Sequence, residues 1–323
     1  MSESRVLLTD MANPLFTEIS SDGFAQGWPR ITEAGFASLL IGEEAGGFGG
    51  DWGDFFSVMR IAGWHGLALP LGETIMASWL LAKVGISRPE GAISFVANGN
   101  RAPWGCDASA LITVDDGELQ LFDASGCAFG YGTSTAGEPR DFITFGAPPM
   151  ASAPCDIDLY ALGAFLRVAQ SAGALDSALA MSIEHANTRI QFGKPLAKLQ
   201  AVQQNLAVFA AEAAAVNVAG QAAAAALDFG DAEFEIVAAK IRTNLAIGTG
   251  VAIAHQVHGA MGFTQEYALH PLTRRLMGWR SEYGNDAYWS LRLGHKVAGL
   301  GGHGLWQQMT SRTDRLSNYH HQL

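Results

Sequence analysis

The stretch "RIQFGKPLAKLQAVQQNLA", Arg189 to Ala207, decides the fold. It opens on an arginine at a helix end, passes through the pair Phe192 and Gly193, and enters an alanine-dominated helix near Leu199. Phe192 and Gly193 read as a helix stop, so the stretch links two helices. Before it, amphipathic spacing runs from Asp158 to Arg189. After it come helices over about Leu199–Leu227 and Ala232–Met261, and a last one from about Gly284 onward. Long helices with short connections predict an antiparallel four-helix bundle over 155–323. Alanine in "AAEAAAVNVAGQAAAAAL" lets helix axes approach closely, within the bundle or across a subunit interface.

Upstream of the bundle the texture changes. "AISFVA", "ALITVDDGELQLF" and "DFITFG" are short β-rich runs, with Asp115, Asp116 and Gly117 where a hairpin turn belongs. They predict a small antiparallel β domain over 89–154. Residues 1–88 read as a helical domain, with short helices broken by Gly46, Gly47, Gly49 and Gly50 and again at Pro70 and Gly72. The fold class is therefore α+β, mostly α. Trp28, Trp52, Trp64 and Trp79 are expected in the core or at an interface.

The chain has 323 residues, enough for a large core and two or three domains. Its formal charge of −11 repels phosphodiester backbones, which argues against a nucleic-acid partner. The N-terminal residues resemble no targeting peptide, and no apolar run reads as a membrane span, so a cytoplasmic protein is expected. Cys106, Cys127 and Cys155 have neither zinc nor redox spacing. His255 and His258 are three residues apart but lack an acidic or cysteine partner at metal-site spacing, so no metal is expected.

Two segments carry a resemblance to a known family. Arg189–Ala207 resembles the arginine, aromatic-glycine and glutamine signature of the acyl-CoA dehydrogenases. "QVHGAMGFTQEYALHPLTRR", Gln256 to Arg275, is similar to that family's glutamine and paired-glycine turn leading into an arginine-rich helix. A weaker match is "EAGFASLLIGEEAGGFGGDWGDF", with Gly42 where the family has proline. The resemblance implies an N-terminal helical domain, a middle β domain and a C-terminal four-helix bundle that binds FAD. It implies Arg189, Gln191, Phe192, Gly193, Gln200, Gln256, His258, Gly259 and Gly262 as cofactor contacts reaching across a subunit interface. The chemistry of these residue types agrees. Arg189 offers a bidentate fork to pyrophosphate, Phe192 a face for a flat ring, the glycines close backbone approach, and the glutamines amide donors and acceptors.

Other family features are altered. No threonine-glutamate-proline segment ending in glycine-serine-aspartate occurs between Gly91 and Pro154. The base that removes the α-proton of the thioester is expected either directly before a glycine in the last-helix loop or inside the first bundle helix. The first place reads "WRSEYGNDAYW", with Tyr283 before Gly284 and Glu282 displaced by one. The second, "DLYALGAFLRVAQ", has no glutamate. Glu282 is the candidate base.

Three readings stand. One is an FAD-dependent acyl-CoA dehydrogenase subunit that performs α,β-dehydrogenation and passes electrons to an electron-transfer flavoprotein. The second is a non-catalytic partner that completes the FAD site of a full-length subunit in an α2β2 assembly. The third is a flavin-free helical scaffold. The small middle domain is compatible with a bulky, ring-bearing acyl group, as in steroid side-chain β-oxidation.

Overall fold

The structure, a computed structural model, describes residues 3–97 and 99–319. Four helices come first: α1 (Glu3–Ile19), α2 (Phe24–Glu33), α3 (Trp52–His65) and α4 (Leu71–Lys83). In α1 the buried residues are Leu8, Ala12, Phe16 and Ile19, one helical stripe, while Pro14 lies on the exposed face. Asp51 caps α3 in a reciprocal box with Asp54, and Arg5 of α1 binds both carboxylates at 2.7 Å.

Seven strands follow: β1 (Ile93–Val96), β2 (Arg101–Pro103), β3 (Ala110–Asp115), β4 (Glu118–Asp123), β5 (Cys127–Gly130), β6 (Arg140–Phe145) and β7 (Ala151–Pro154). They form two sheets, ordered β1-β3-β4-β7 and β2-β6-β5. All pairs are antiparallel except β1 with β3, which run parallel because β2 crosses between them into the other sheet. The β3–β4 hairpin turns at Asp116 and Gly117, both in the left-handed region, with Asp115 opposite Glu118.

The C-terminal half contains α5 (Leu159–Thr188), the two-residue strands β8 (Ile190–Gln191) and β9 (Lys194–Pro195), α6 (Gln200–Phe229), α7 (Glu233–His258), α8 (Leu269–Ser281) and α9 (Asp286–Tyr319). Asp158 caps α5 by accepting from the Ala161 amide. A non-helical residue, Gly301, divides α9. By window hydropathy, α6 and α7 are long and apolar enough to cross a membrane, contrary to the linear reading. Alanine explains the difference: it raises the mean of a window while Asn205, Glu212 and Asn217 interrupt any visible run. Here α7 packs against α5, α6, α8 and α9.

The closest contact between the first and third regions is the crossing of α3 and α5. A Cβ on Gly63 would overlap the Gln170 carbonyl, and one on Gly173 would overlap the Arg60 carbonyl. Since both obstacles are helix backbone, neither can move aside cheaply. Gly63→Ala and Gly173→Ala are each expected to cost about 3 kcal/mol, read by urea denaturation; a loss below 0.5 kcal/mol at either site is inconsistent with this crossing. Around it Trp52 meets Phe55, Phe165 and Trp79 edge-on, with centroids 5.4, 6.0 and 4.9 Å away. Trp28 and Trp52 are buried and Trp79 half-buried, whereas Trp64 is exposed.

Candidate functional site

Two cavities contain the residues of interest. The first, about 450 Å³, lies where α5 ends and α7 ends, with α6 as its third wall. Arg189, Gln191, Gln256, His258 and Gly259 line it, five of the nine predicted cofactor residues. His185, Asn205, Leu196, Val202 and Met261 complete the part relevant to binding. His185 was missed in the sequence although it lies four residues before Arg189, on the same helical face. No acidic residue lines this cavity, so in a chain of charge −11 it is a local cationic site.

The local fold explains this grouping. Arg189 is the C-cap of α5. Strands β8 and β9 then form a two-residue hairpin whose turn, Phe192 and Gly193, has both residues at positive φ. Phe192 thus stands at the tip, 85 % exposed, outside the cavity, with Gly193 beside it. Gln200 is the exposed first residue of α6 and also lies outside the lining. Gly262 serves packing: a Cβ there would come 3.0 Å from His258 Cβ. Gly259, by contrast, opens onto free space.

The imidazoles of His185 and His258 stack, centroids 4.6 Å apart. His258 is buried; its Nδ1–H donates to the Ala254 carbonyl at 2.8 Å, and its Nε2 has no partner. Burial, followed by the nearby His258 and Arg189, lowers the pKa of His185. Among the described residues no His, Cys, Asp and Glu group is arranged to hold a metal ion.

The second cavity, about 400 Å³, lies between the β domain and α8, lined by Arg101, Thr133, Arg140, Tyr160, Glu282 and Tyr283 among others. Glu282 follows the last residue of α8, and its carboxylate turns inward. Arg140 of β6 donates to it through Nε and Nη2, both at 3.0 Å, and Arg167 of α5 through Nε at 2.7 Å. Burial alone would raise the Glu282 carboxyl, but the two guanidiniums outweigh it and hold its pKa down at about 2. Such a carboxylate is a weak base at neutral pH.

The position directly before Gly284 belongs to Tyr283, at φ 52°. Its ring lies against Gly163 of α5 and 5.9 Å from Phe95, and burial raises its phenol pKa. The turn is fixed from behind: Trp289 Nε1 donates to the Tyr283 carbonyl at 2.8 Å, and Lys240 Nζ to the Trp279 carbonyl at 2.6 Å.

The ion pairs continue in both directions from Glu282. Arg167 also reaches Glu73 of α4 at 2.9 Å and Gln170 at 2.5 Å. Arg140 faces Glu138 at 3.4 Å, which pairs with Arg275 of α8 at 2.7 Å. Six charges of alternating sign, from Glu73 to Arg275, thus join all three regions. Apart from Glu138 and Arg140, two positions apart, these pairings were not visible in sequence, because the contacts span 94 to 142 positions.

Residues 160–294 match the family described as acyl-CoA dehydrogenase, C-terminal domain. The C-terminal half therefore carries an acyl-CoA dehydrogenase domain. Among its relatives is the acyl-CoA dehydrogenase IpdE2 of Mycobacterium tuberculosis, 26 % identical over 78 % of this chain and 80 % of the relative. Two solved structures with the same fold are the Tcur3481–Tcur3483 steroid ACAD, TM-score 0.81 at 21 % identity, and the ChsE4–ChsE5 complex of M. tuberculosis, TM-score 0.79 at 18 % identity. Each comparison covers 92 % of this chain and 98 % of the other. The matched segment supplies lining residues to both cavities.

Proposed function

We propose that the chain is one subunit of a heteromeric acyl-CoA dehydrogenase, lending the α5–α7 cavity to an FAD held mainly by a full-length partner that supplies the base. The observation carrying this reading is the contrast between the two cavities. In one, a cationic and acid-free wall suits an anionic ligand; in the other, the only carboxylate in the lining is locked by two arginines.

The residues of the first cavity fit an adenine dinucleotide. Arg189 would bind the pyrophosphate with its fork. Gly259 leaves room for backbone approach. Asn205 Nδ2 donates to Gln256 Oε1 at 3.4 Å, leaving the Gln256 amide N–H groups free to donate to the ligand. Leu196, Val202 and Met261 exclude water from a flat base. FAD, when bound, supplies the hydride acceptor for the α,β-dehydrogenation. Exposed Phe192 and Ile190 on the β8–β9 hairpin, with exposed Val208 and Val218 on α6, suit a surface that a partner covers. The names of the similar structures, a steroid ACAD and a two-component complex, favour a ring-bearing acyl thioester and a heteromeric assembly.

A second reading keeps Glu282 as the base of a self-sufficient enzyme, and its place in the wall of the second cavity favours that reading. Purification of the chain alone and together with a full-length dehydrogenase subunit from the same genome, with size and flavin absorbance recorded, separates the two. Flavin retained only in the complex is the expected result. Flavin and acyl-CoA oxidation from the single chain would refute it. In the complex, Glu282→Gln is expected to leave turnover within about twofold, whereas loss of a true base costs a factor of about 10² or more.

A further inference from the structure

His258 raises a problem of proton count. Its Nδ1–H is committed to the Ala254 carbonyl, so the neutral ring presents a bare lone pair at Nε2, buried and without a partner in the wall of the α5–α7 cavity. A phosphate oxygen also offers only lone pairs. The two repel unless a proton stands between them. We infer that an adenosine-diphosphate ligand entering this cavity brings a proton with it, carried by the stacked His185–His258 pair.

The inference rests on the reading of this cavity as the seat of the FAD phosphates. In the absence of ligand, the neighbours from α5 are His185 and Arg189, with Glu184 farther out beside Tyr267; α7 adds His255, and α8 adds His270 behind His255. The α6 wall contributes Ala201, Val202 and Asn205, none of them ionisable. A pyrophosphate brings negative charge against these groups, and a proton from solvent then settles on Nε2, turning it into a donor to a phosphate oxygen. No bond to phosphorus forms or breaks. An adenine amine facing Nε2 would instead donate to the lone pair and need no proton, so proton uptake distinguishes which end of the ligand meets His258.

Calorimetric titration of the flavin-stripped complex of the chain and its full-length partner with ADP, in buffers of different ionisation enthalpy at pH 7.5, measures the uptake directly. The expected result is about 0.5 to 1 proton per ADP, with affinity weakening up to about tenfold per pH unit on the alkaline side. His258→Gln, which can present a permanent amide donor, is expected to bind ADP with no uptake and a flat pH profile. Should that variant fail to fold, the histidine ring resonances of the wild type report the same event as an upward displacement of their titration on adding ADP. ADP bound with zero uptake overturns the proton inference and leaves the FAD reading standing. ADP that fails to bind, or binds Arg189→Ala equally well, overturns the reading beneath it. Binding of coenzyme A in preference to FAD overturns the cofactor assignment while the proton count stands.

Discussion

Arg167→Met is expected to destabilise the folded chain by about 3–5 kcal/mol, the cost of leaving buried charges without their partner. Arg167 is 2 % exposed and donates to Glu282, Glu73 and Gln170 through three different nitrogens. Methionine fills part of the volume but leaves the Glu73 carboxylate with no cation and Glu282 with Arg140 alone. Adding Glu73→Gln should recover part of the loss, because one orphaned charge disappears. The Glu282 carboxyl sits at about 2 in the fold against an ordinary 4.5, so its contribution is fully present above pH 4.5 and fades as the pH falls toward 2. Urea denaturation at pH 7 and pH 3 should therefore show the gap between wild type and variant narrowing in acid. A variant within 1 kcal/mol of wild type at pH 7 is incompatible with this network.

The second large effect has the opposite sign. Lys240 is 1 % exposed and has one hydrogen-bond acceptor, the Trp279 carbonyl. Burial above all, with Arg167 adding to it against the pull of Glu282 and Asp286, brings its pKa down from 10.5 to about 7. Between pH 7 and 10.5 the unfolded chain binds a proton that the folded chain does not, so the lysine penalises folding least at high pH and most at pH 7 and below. Lys240→Met removes this penalty, at most about 5 kcal/mol, but leaves the Trp279 carbonyl unsatisfied. A net gain of about 2 kcal/mol is expected at pH 7, turning into a small loss above pH 10.5, where neutral lysine costs nothing and still donates. The two stability–pH curves should cross; parallel curves rule the argument out.

The bundle was legible because helix periodicity and alanine content are local properties. Asp158 as a cap, Gly193 as a break and the Asp116–Gly117 turn all take effect within a few residues of themselves. The reading of 1–88 as helical did not delimit α1, although Leu8, Ala12, Phe16 and Ile19, at spacings of three and four, mark one face. The parallel pairing of β1 with β3 could not be read, since it depends on β2 leaving for the other sheet. The same limit applies to the sites. Arg189, Gln256 and Gly259 are recognisable as motif residues, but the lone pair of His258 depends on its ring orientation, and the state of Glu282 depends on Arg140, 142 positions away. Nothing in "WRSEYG" says whether its glutamate is free or bound.

The alternating charges from Glu73 to Arg275 bear on how the molecule holds together. The row sums to zero, so it adds no field at a distance, yet each interior member needs a neighbour contributed by a different part of the chain. Cutting at the junction before the β domain strands Glu73 on one piece, and cutting after it separates Arg140 from Glu282. The three regions can be drawn as modules, but electrostatically they form one unit.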